Sequence, residues 1–282
     1  MAGTLELEKQ HRCFGGTLSY YRHFSDCCQG SMQFTLYLPP QAKDKSVPLL
    51  WYLSGLTCTA ENFTVKAGAQ RLAAEYDFAI AAPDTSPRNT GIPGEDESWD
   101  LGSGAGFYVD ATVEPWSSHY QMYSYVTQEL PTLVIENFPL DADKQSIFGH
   151  SMGGHGALVC ALRNPKKYQS VSAFAPIAAP SQTTWGQNAF KAYLGDDTKF
   201  WAAYDAAELL NTQTLESEIL IDQGTADSFY QDGGLLPEKF AEVCEQAGQK
   251  IKLRLQDGYD HSYFFVSTFI QDHFQHHAQY LQ

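Results

Sequence analysis

The segment Gln145-Ser-Ile-Phe-Gly-His-Ser-Met-Gly-Gly-His-Gly-Ala157 constrains the fold of this chain more than any other stretch. Its apolar start reads as a strand, Gly149-His-Ser-Met-Gly153 as a tight turn, and Gly156-Ala-Leu-Val-Cys-Ala-Leu162 as a helix. A strand that enters Gly-x-Ser-x-Gly and leaves as a helix is a nucleophile elbow, in which the serine is lifted above the end of a sheet in a strained backbone conformation. Gly149 and Gly153 carry no Cβ to crowd it. The competing reading is a glycine-rich connection whose serine only caps the helix. The elbow reading makes Ser151 the candidate nucleophile and requires a parallel sheet around it.

A nucleophilic serine needs a base and an orienting carboxylate, and in this architecture they follow in the order Ser, Asp, His. Glu218-Ile-Leu-Ile-Asp-Gln-Gly224 reads as a short buried strand ending in a turn, with Asp227 just past it. Lys250-Ile-Lys-Leu-Arg-Leu255 alternates as a strand and breaks into a loop that carries His261, ahead of an aromatic-rich helix. Loops beyond strand ends are where open α/β sheets place their chemistry. Asp222, at the end of the same strand, competes with Asp227; Asp227 is favoured because a residue past the turn can reach a neighbouring loop. Asp260 adjoins His261, cannot easily reach its Nδ1, and reads as a loop residue bonded to local backbone. His150 and His155 read as packing and helix histidines.

In that arrangement His261 takes the Ser151 proton and later returns it to the leaving group, while ionised Asp227 holds the imidazole tautomer. The developing oxyanion needs backbone donors. The residue after the nucleophile, Met152, supplies one N–H. Pro48-Leu-Leu-Trp-Tyr-Leu-Ser54 reads as an earlier strand and Gly55-Leu-Thr-Cys58 as its loop, which makes Leu56 the second donor.

The elbow, together with Leu53-Ser-Gly-Leu-Thr-Cys-Thr59, Pro83-Asp-Thr-Ser-Pro-Arg88, Gly94-Glu-Asp-Glu-Ser-Trp-Asp100, Gly104-Ala-Gly-Phe-Tyr-Val-Asp-Ala111 and Gly258-Tyr-Asp-His-Ser-Tyr263, closely resembles the S-formylglutathione hydrolase family, also called esterase D, from about residue 5 to the C-terminus. The resemblance implies hydrolysis of the thioester S-formylglutathione to formate and glutathione, with side activity on small acyl esters. It places nucleophile, acid and base on Ser151, Asp227 and His261, and the oxyanion donors on Leu56 and Met152. It also implies a substrate contact at Trp185, near the acyl pocket, and a homodimer. The chain departs from the pattern at Thr225-Ala226, where many members carry Lys-Asp, and after Arg88.

The 282 residues, 43% hydrophobic, suit one α/β-hydrolase domain spanning 1–282, with a mainly parallel central sheet, helices on both faces and an antiparallel N-terminal part over about 5–38. His11 to Gly16 reads as a hairpin turn, Asp77 to Ala82 and Ser170 to Phe174 as strands, and Tyr120 to Asn137 as a long helix kinked at Pro131. Leu236 to Ala247 and Tyr263 to Tyr280 read as the last two helices. A net charge of -15 argues against nucleic-acid and anionic-membrane partners. It also sets a tension with an anionic glutathione thioester as substrate, which Arg88 or Lys66 could offset locally. No run is long enough to span a bilayer, and the start lacks the features of a signal peptide, which points to the cytoplasm.

Six cysteines without a C-x-x-C pair read as free thiols in a reducing compartment. Among them Cys58 lies in the oxyanion loop and is the candidate for thiol sensitivity. His273, His276 and His277 lack a metal-ligand pattern and read as a solvated helix face. Gly102-Ser-Gly-Ala-Gly106 lacks the following Lys-Ser/Thr of a phosphate loop, and Glu95-Asp-Glu97 the alternating ligands of a calcium loop. The expectation is a serine hydrolase of a small-molecule substrate with no metal and no organic cofactor.

Overall fold

Residues 4–282 are described by the computed structural model. The chain begins with two antiparallel strands, β1 (Glu6–Cys13) and β2 (Gly16–Ser25). Phe14 and Gly15 join them with φ of 46° and 77°. Positive φ at both central residues gives the tight connection whose twist matches the strands it links. β3 (Gly30–Leu38) pairs antiparallel with β2, and β1 is an exposed edge.

The remaining strands are β4 (Val47–Leu53), β5 (Ala79–Pro83), β6 (Leu140–His150), β7 (Tyr168–Phe174), β8 (Ile219–Gly224) and β9 (Ile251–Gln256). They complete a nine-stranded sheet in the order β1-β2-β3-β5-β4-β6-β7-β8-β9. β3 meets β5 antiparallel, and every pair from β5 to β9 is parallel. Every residue of β5 and β8 is buried, the pattern of strands covered on both faces by helices. The antiparallel start and parallel remainder agree with the sequence reading. So do the helices Pro237–Ala247 and Tyr263–Leu281.

The segment expected as one helix from Tyr120 is a short helix Met122–Ser124, a π turn Tyr125–Glu129 and a helix Leu130–Asn137. Pro131 has no N–H to return to the Thr127 carbonyl four residues back. That carbonyl instead accepts from the Lys167 ammonium. The irregularity lies in the turn before the proline.

The C-terminal helix overturns one expectation. His273, His276 and His277 are buried, at 0%, 6% and 0% exposure, and do not form a solvated face. His273 Nδ1 meets Ser172 Oγ at 2.8 Å, and His277 bridges Ser170 Oγ (2.7 Å) and Ser172 Oγ (2.9 Å). His276 Nε2 donates to the Val171 carbonyl at 3.2 Å. Four residues of helix rise about 6 Å and two residues of strand about 6.6 Å. Histidines at i and i+4 therefore match serines at j and j+2. The polar stripe on the helix faces a polar stripe on β7, which helical spacing alone does not distinguish from a solvated face.

Candidate active site

β6 ends at His150 and the helix Met152–Arg163 begins one residue after Ser151, so Ser151 alone turns the chain. Its φ of 59° and ψ of −122° lie where a residue with a Cβ is strained. Its side chain makes no cap hydrogen bond, which removes the capping alternative. Backbone bonds hold the turn: Ser151 N donates to Phe174 O on β7 at 2.9 Å, and Ser151 O accepts from His155 N at 3.0 Å. A Cβ on Gly153 would lie 1.9 Å from Leu53 O, and one on Gly149 would lie 2.2 Å from Gly153 O. The two glycines thus permit strand, turn and helix to close on one another, besides leaving room for the serine.

β8 ends at Gly224, and Asp227 follows as a fully buried residue at the start of the short helix Ser228–Gln231. Asp227 Oδ1 accepts from Phe229 N at 2.9 Å, while Oδ2 lies 2.5 Å from His261 Nδ1 and accepts from Gln223 Nε2 at 3.1 Å. Burial pushes this carboxyl up, but the hydrogen bond and charge interaction with His261 outweigh it and the pKa is lowered. An anion held this way fixes which imidazole nitrogen carries the proton. The other imidazole nitrogen of His261, Nε2, has no hydrogen-bond partner among the described residues.

Asp222 is engaged elsewhere. It accepts from Arg254 Nε at 2.6 Å and Nη2 at 2.5 Å, from Gln256 Nε2 at 3.0 Å, and lies 3.1 Å from His273 Nε2. Asp260 accepts from Ser262 N and Oγ at 3.0 and 2.6 Å, a local cap. His150, buried at 5% exposure, packs its ring 4.5 Å from that of His261. This contact brings His261 against the residue preceding Ser151. No hydrogen bond joins Ser151 Oγ to His261 among the described residues. His155 is buried in its helix with Nε2 3.0 Å from Phe107 O.

The loop after β4 lies against the elbow. A Cβ on Gly55 would stand 2.9 Å from Ser151 Cβ and 3.1 Å from His150 O, so glycine lets Leu56 approach the serine. Met152 is the first residue of its helix, and its N–H has no intrahelical acceptor. Neither it nor Leu56 N donates to a loop or cap carbonyl among the described residues. The two N–H groups thus lack a backbone acceptor, one next to Ser151 and one a residue beyond the glycine that meets it.

Arg88 braces this loop. Its Nε and Nη2 each donate to Asp84 at 2.9 Å, and Nη2 reaches the Cys58 carbonyl at 3.2 Å. Paired in this way, Arg88 adds little positive field for an anionic substrate. Lys66 Nζ lies 5.8 Å from the centre of the Tyr263 ring. Burial pushes the Cys58 thiol up, more strongly than the Tyr263 hydroxyl, Lys66 and Arg88 lower it. All six cysteines are free thiols. The glycines at 102 and 104 take φ of 82° and 81° in a loop pinned by Tyr193 and Ser86. Glu95 is buried, accepting from Thr90 N at 2.9 Å and Tyr120 OH at 3.2 Å.

Trp185, in the helix Thr184–Leu194, stacks on Phe229 at 5.3 Å, and Phe229 meets His261 edge-on at 4.8 Å. Phe229, Gln223 and Trp99, whose ring is 5.2 Å from that of Trp185, carry no motif of their own in the sequence. Their one signal is proximity to the motifs: Phe229 follows Asp227 by two residues, Gln223 precedes it by four, and Trp99 lies within the acidic block Gly94–Asp100.

Among the described residues no group of three or more His, Cys, Asp or Glu could hold a metal ion, and no helix is long and apolar enough to cross a membrane.

A nine-stranded sheet with a serine elbow and a hydrogen-bonded Asp–His pair beyond its strand ends defines an α/β-hydrolase-type esterase, and the Putative esterase family model matches residues 25–276. The chain belongs to the S-formylglutathione hydrolase family: it is 54% identical to S-formylglutathione hydrolase of Mus musculus over 96% of each chain. It is also 53% identical to that of Paracoccus denitrificans over 98% of each. A solved S-formylglutathione hydrolase from Agrobacterium tumefaciens superposes with a TM-score of 0.96 at 48% identity, covering 98% of this chain and 100% of that one.

Proposed function

We propose that this chain hydrolyses S-formylglutathione to formate and glutathione through an acyl-enzyme on Ser151, with slower cleavage of small acyl esters. The observation that carries the reading is the Asp227–His261 bond of 2.5 Å set beside a serine held at φ 59°. Ser151 Oγ attacks the formyl carbon as His261 Nε2 takes its proton, and the C=O electron pair moves onto oxygen. The N–H groups of Leu56 and Met152 receive that oxyanion, each worth about 3 kcal/mol to the transition state. Collapse breaks the C–S bond, and the glutathione sulfur leaves with the proton from His261. Water then attacks the formyl ester, His261 takes its proton and returns it to Ser151 Oγ, and formate is released. Asp227 remains ionised throughout and orients the ring. Trp185 is the proposed substrate contact.

We also read residues 1–282 as one domain, acting in the cytoplasm as a homodimer. No metal or organic cofactor enters this chemistry. The test is kcat/KM for S-formylglutathione beside a short-chain acetyl ester. A preference for the thioester of several orders of magnitude supports the reading, and comparable values turn it into a general esterase. Ser151→Ala is expected to abolish turnover and fluorophosphonate labelling while the protein stays folded.

A further inference from the structure

Neighbouring side chains of β8 point to opposite faces of the sheet. Asp222 turns toward the C-terminal helix and meets His273, so Gln223 turns to the other face, where it is fully buried. Its Nε2 makes two bonds there, to Asp227 Oδ2 and to the Gly224 carbonyl, each at 3.1 Å. Its Oε1 is buried and has no partner among the described residues. Turning the amide over would set that oxygen against a carboxylate and a carbonyl, with no proton between them. The orientation is therefore fixed, and it leaves a buried acceptor without a donor. Such a group weakens a fold, and where it persists the position serves another purpose.

That purpose follows from which atom the amide touches. Asp227 Oδ2 is the oxygen that lies 2.5 Å from His261 Nδ1. Phe229 N at 2.9 Å and Tyr230 N at 3.4 Å both anchor Oδ1, so among the described residues Gln223 is the one donor besides His261 that fixes Oδ2. Two donors on one oxygen also divide its charge. Burial raises this carboxyl, and the bonds from His261 and then Gln223 bring it below its ordinary value. The other titratable groups around His261 are the His150 ring at 4.5 Å, kept neutral by burial, Tyr263 behind that ring, and Asp260, whose carboxylate is engaged by Ser262. We propose that Gln223 is a positioning residue of the triad: its amide aims Asp227 Oδ2 at His261 Nδ1 and, by sharing the charge of that oxygen, limits how tightly the imidazolium is held, so that the ring gives its proton to the leaving group. The inference rests on the Ser151–His261–Asp227 assignment of the proposed function.

The test removes the donor and keeps the length of the side chain. In Gln223→Met, kcat for S-formylglutathione and the rate of fluorophosphonate labelling of Ser151 should both fall about tenfold, with KM changed less than about twofold. The acid limb of the kcat/KM profile should move up by about half a pH unit, because an Asp227 oxygen with one donor fewer holds the imidazolium more tightly. Gln223→Glu donates to Asp227 only while the introduced carboxyl carries a proton. Its profile should therefore gain a falling limb at alkaline pH, where two carboxylates face one another. Wild-type rates in Gln223→Met overturn the inference. So does an equal loss in both variants with the limbs of the profile unmoved, which is the result a packing residue gives. Should Gln223→Met not fold, by circular dichroism, the profile of Gln223→Glu decides alone. Wild-type protein that fails to label with fluorophosphonate sinks the triad reading itself. Wild-type protein that labels but leaves S-formylglutathione intact sinks only the substrate, and labelling rates still decide the role of Gln223.

Discussion

Asp222 and His273 meet between the sheet and the C-terminal helix, Oδ2 to Nε2 at 3.1 Å, and this contact leaves Asp227 as the carboxylate that serves His261. Asp222 lies within β8 and Asp227 three residues past its end. One ends inside the sheet–helix layer, clasped by Arg254; the other clears the turn and reaches the loop that carries His261.

The two acids should therefore separate in mutants. Asp227→Asn should cost kcat about 10⁴-fold, because an amide at that position favours the wrong imidazole tautomer. Asp222→Asn should act on stability, since it removes the buried carboxylate that accepts from Arg254 and His273 while Arg254 keeps its ion pair with Asp272, at about 1–3 kcal/mol. Chemical denaturation and steady-state kinetics on both variants check the split. Loss of kcat in folded Asp222→Asn with normal kcat in Asp227→Asn would reverse the assignment.

The loop after β4 is positioned by what it lacks. In Gly55→Ala the new Cβ would fall 2.9 Å from Ser151 Cβ and 3.1 Å from a backbone oxygen, a contact only movement of the loop can relieve. Moving Leu56 N by a fraction of an ångström weakens its bond to the oxyanion, so kcat should fall about 10- to 100-fold while KM changes little. A KM effect without a kcat effect would place the loop in ground-state binding.

Much of this was legible in the sequence because local pattern and global fold agree. The elbow carries its own context: an apolar strand, two glycines and a helix, and the structure shows those glycines are demanded by backbone contacts as close as 1.9 Å. That Asp227, not Asp222, lies within reach of His261 was readable from its distance beyond the turn. The burial of His273 and His277 was not, because a row of histidines on a helix says nothing of what it faces. Their partners Ser170 and Ser172 lie about a hundred residues earlier, on a strand that reads as core. The π turn before Pro131 escaped for a similar reason, since the carbonyl freed there is answered by Lys167, a residue outside the helix. The row from Trp99 to His261 draws on four segments that only the fold brings together.

Cys58 offers a chemical test of the same loop. With its pKa raised by burial, the thiol should alkylate slowly at pH 7 and faster as pH climbs past the ordinary thiol range. Modification should lower activity, because an adduct two residues from Leu56 displaces the proposed oxyanion donor, whereas Cys58→Ser should retain it. Iodoacetamide labelling followed by mass spectrometry and assay over pH 7–10 checks this. Rapid labelling at pH 7 would count against a buried thiol.

Acid stability should report the histidine stripe. Burial lowers the pKa of His276 to about 4, lowers that of His273 against the pull of Asp222, and holds that of His277 well below the ordinary imidazole range. Each remains neutral in the folded protein at a pH where the unfolded chain takes up a proton, near 6.5. The unfolded state thus binds more protons, and stability falls as pH drops below about 6.5. For His276 the loss amounts to about 3 kcal/mol by pH 4. Asp222 adds to it lower down. Burial raises its carboxyl, but bonds from His273 and Arg254 bring it to about 2, so its contribution is complete above about pH 4 and is lost as pH falls toward 2. The urea midpoint should decline from pH 7 to pH 4.5, and His276→Gln, which cannot titrate, should decline less steeply. Parallel curves for the two proteins would show that His276 is already charged in the fold and that its contact with the Val171 carbonyl is that of an imidazolium.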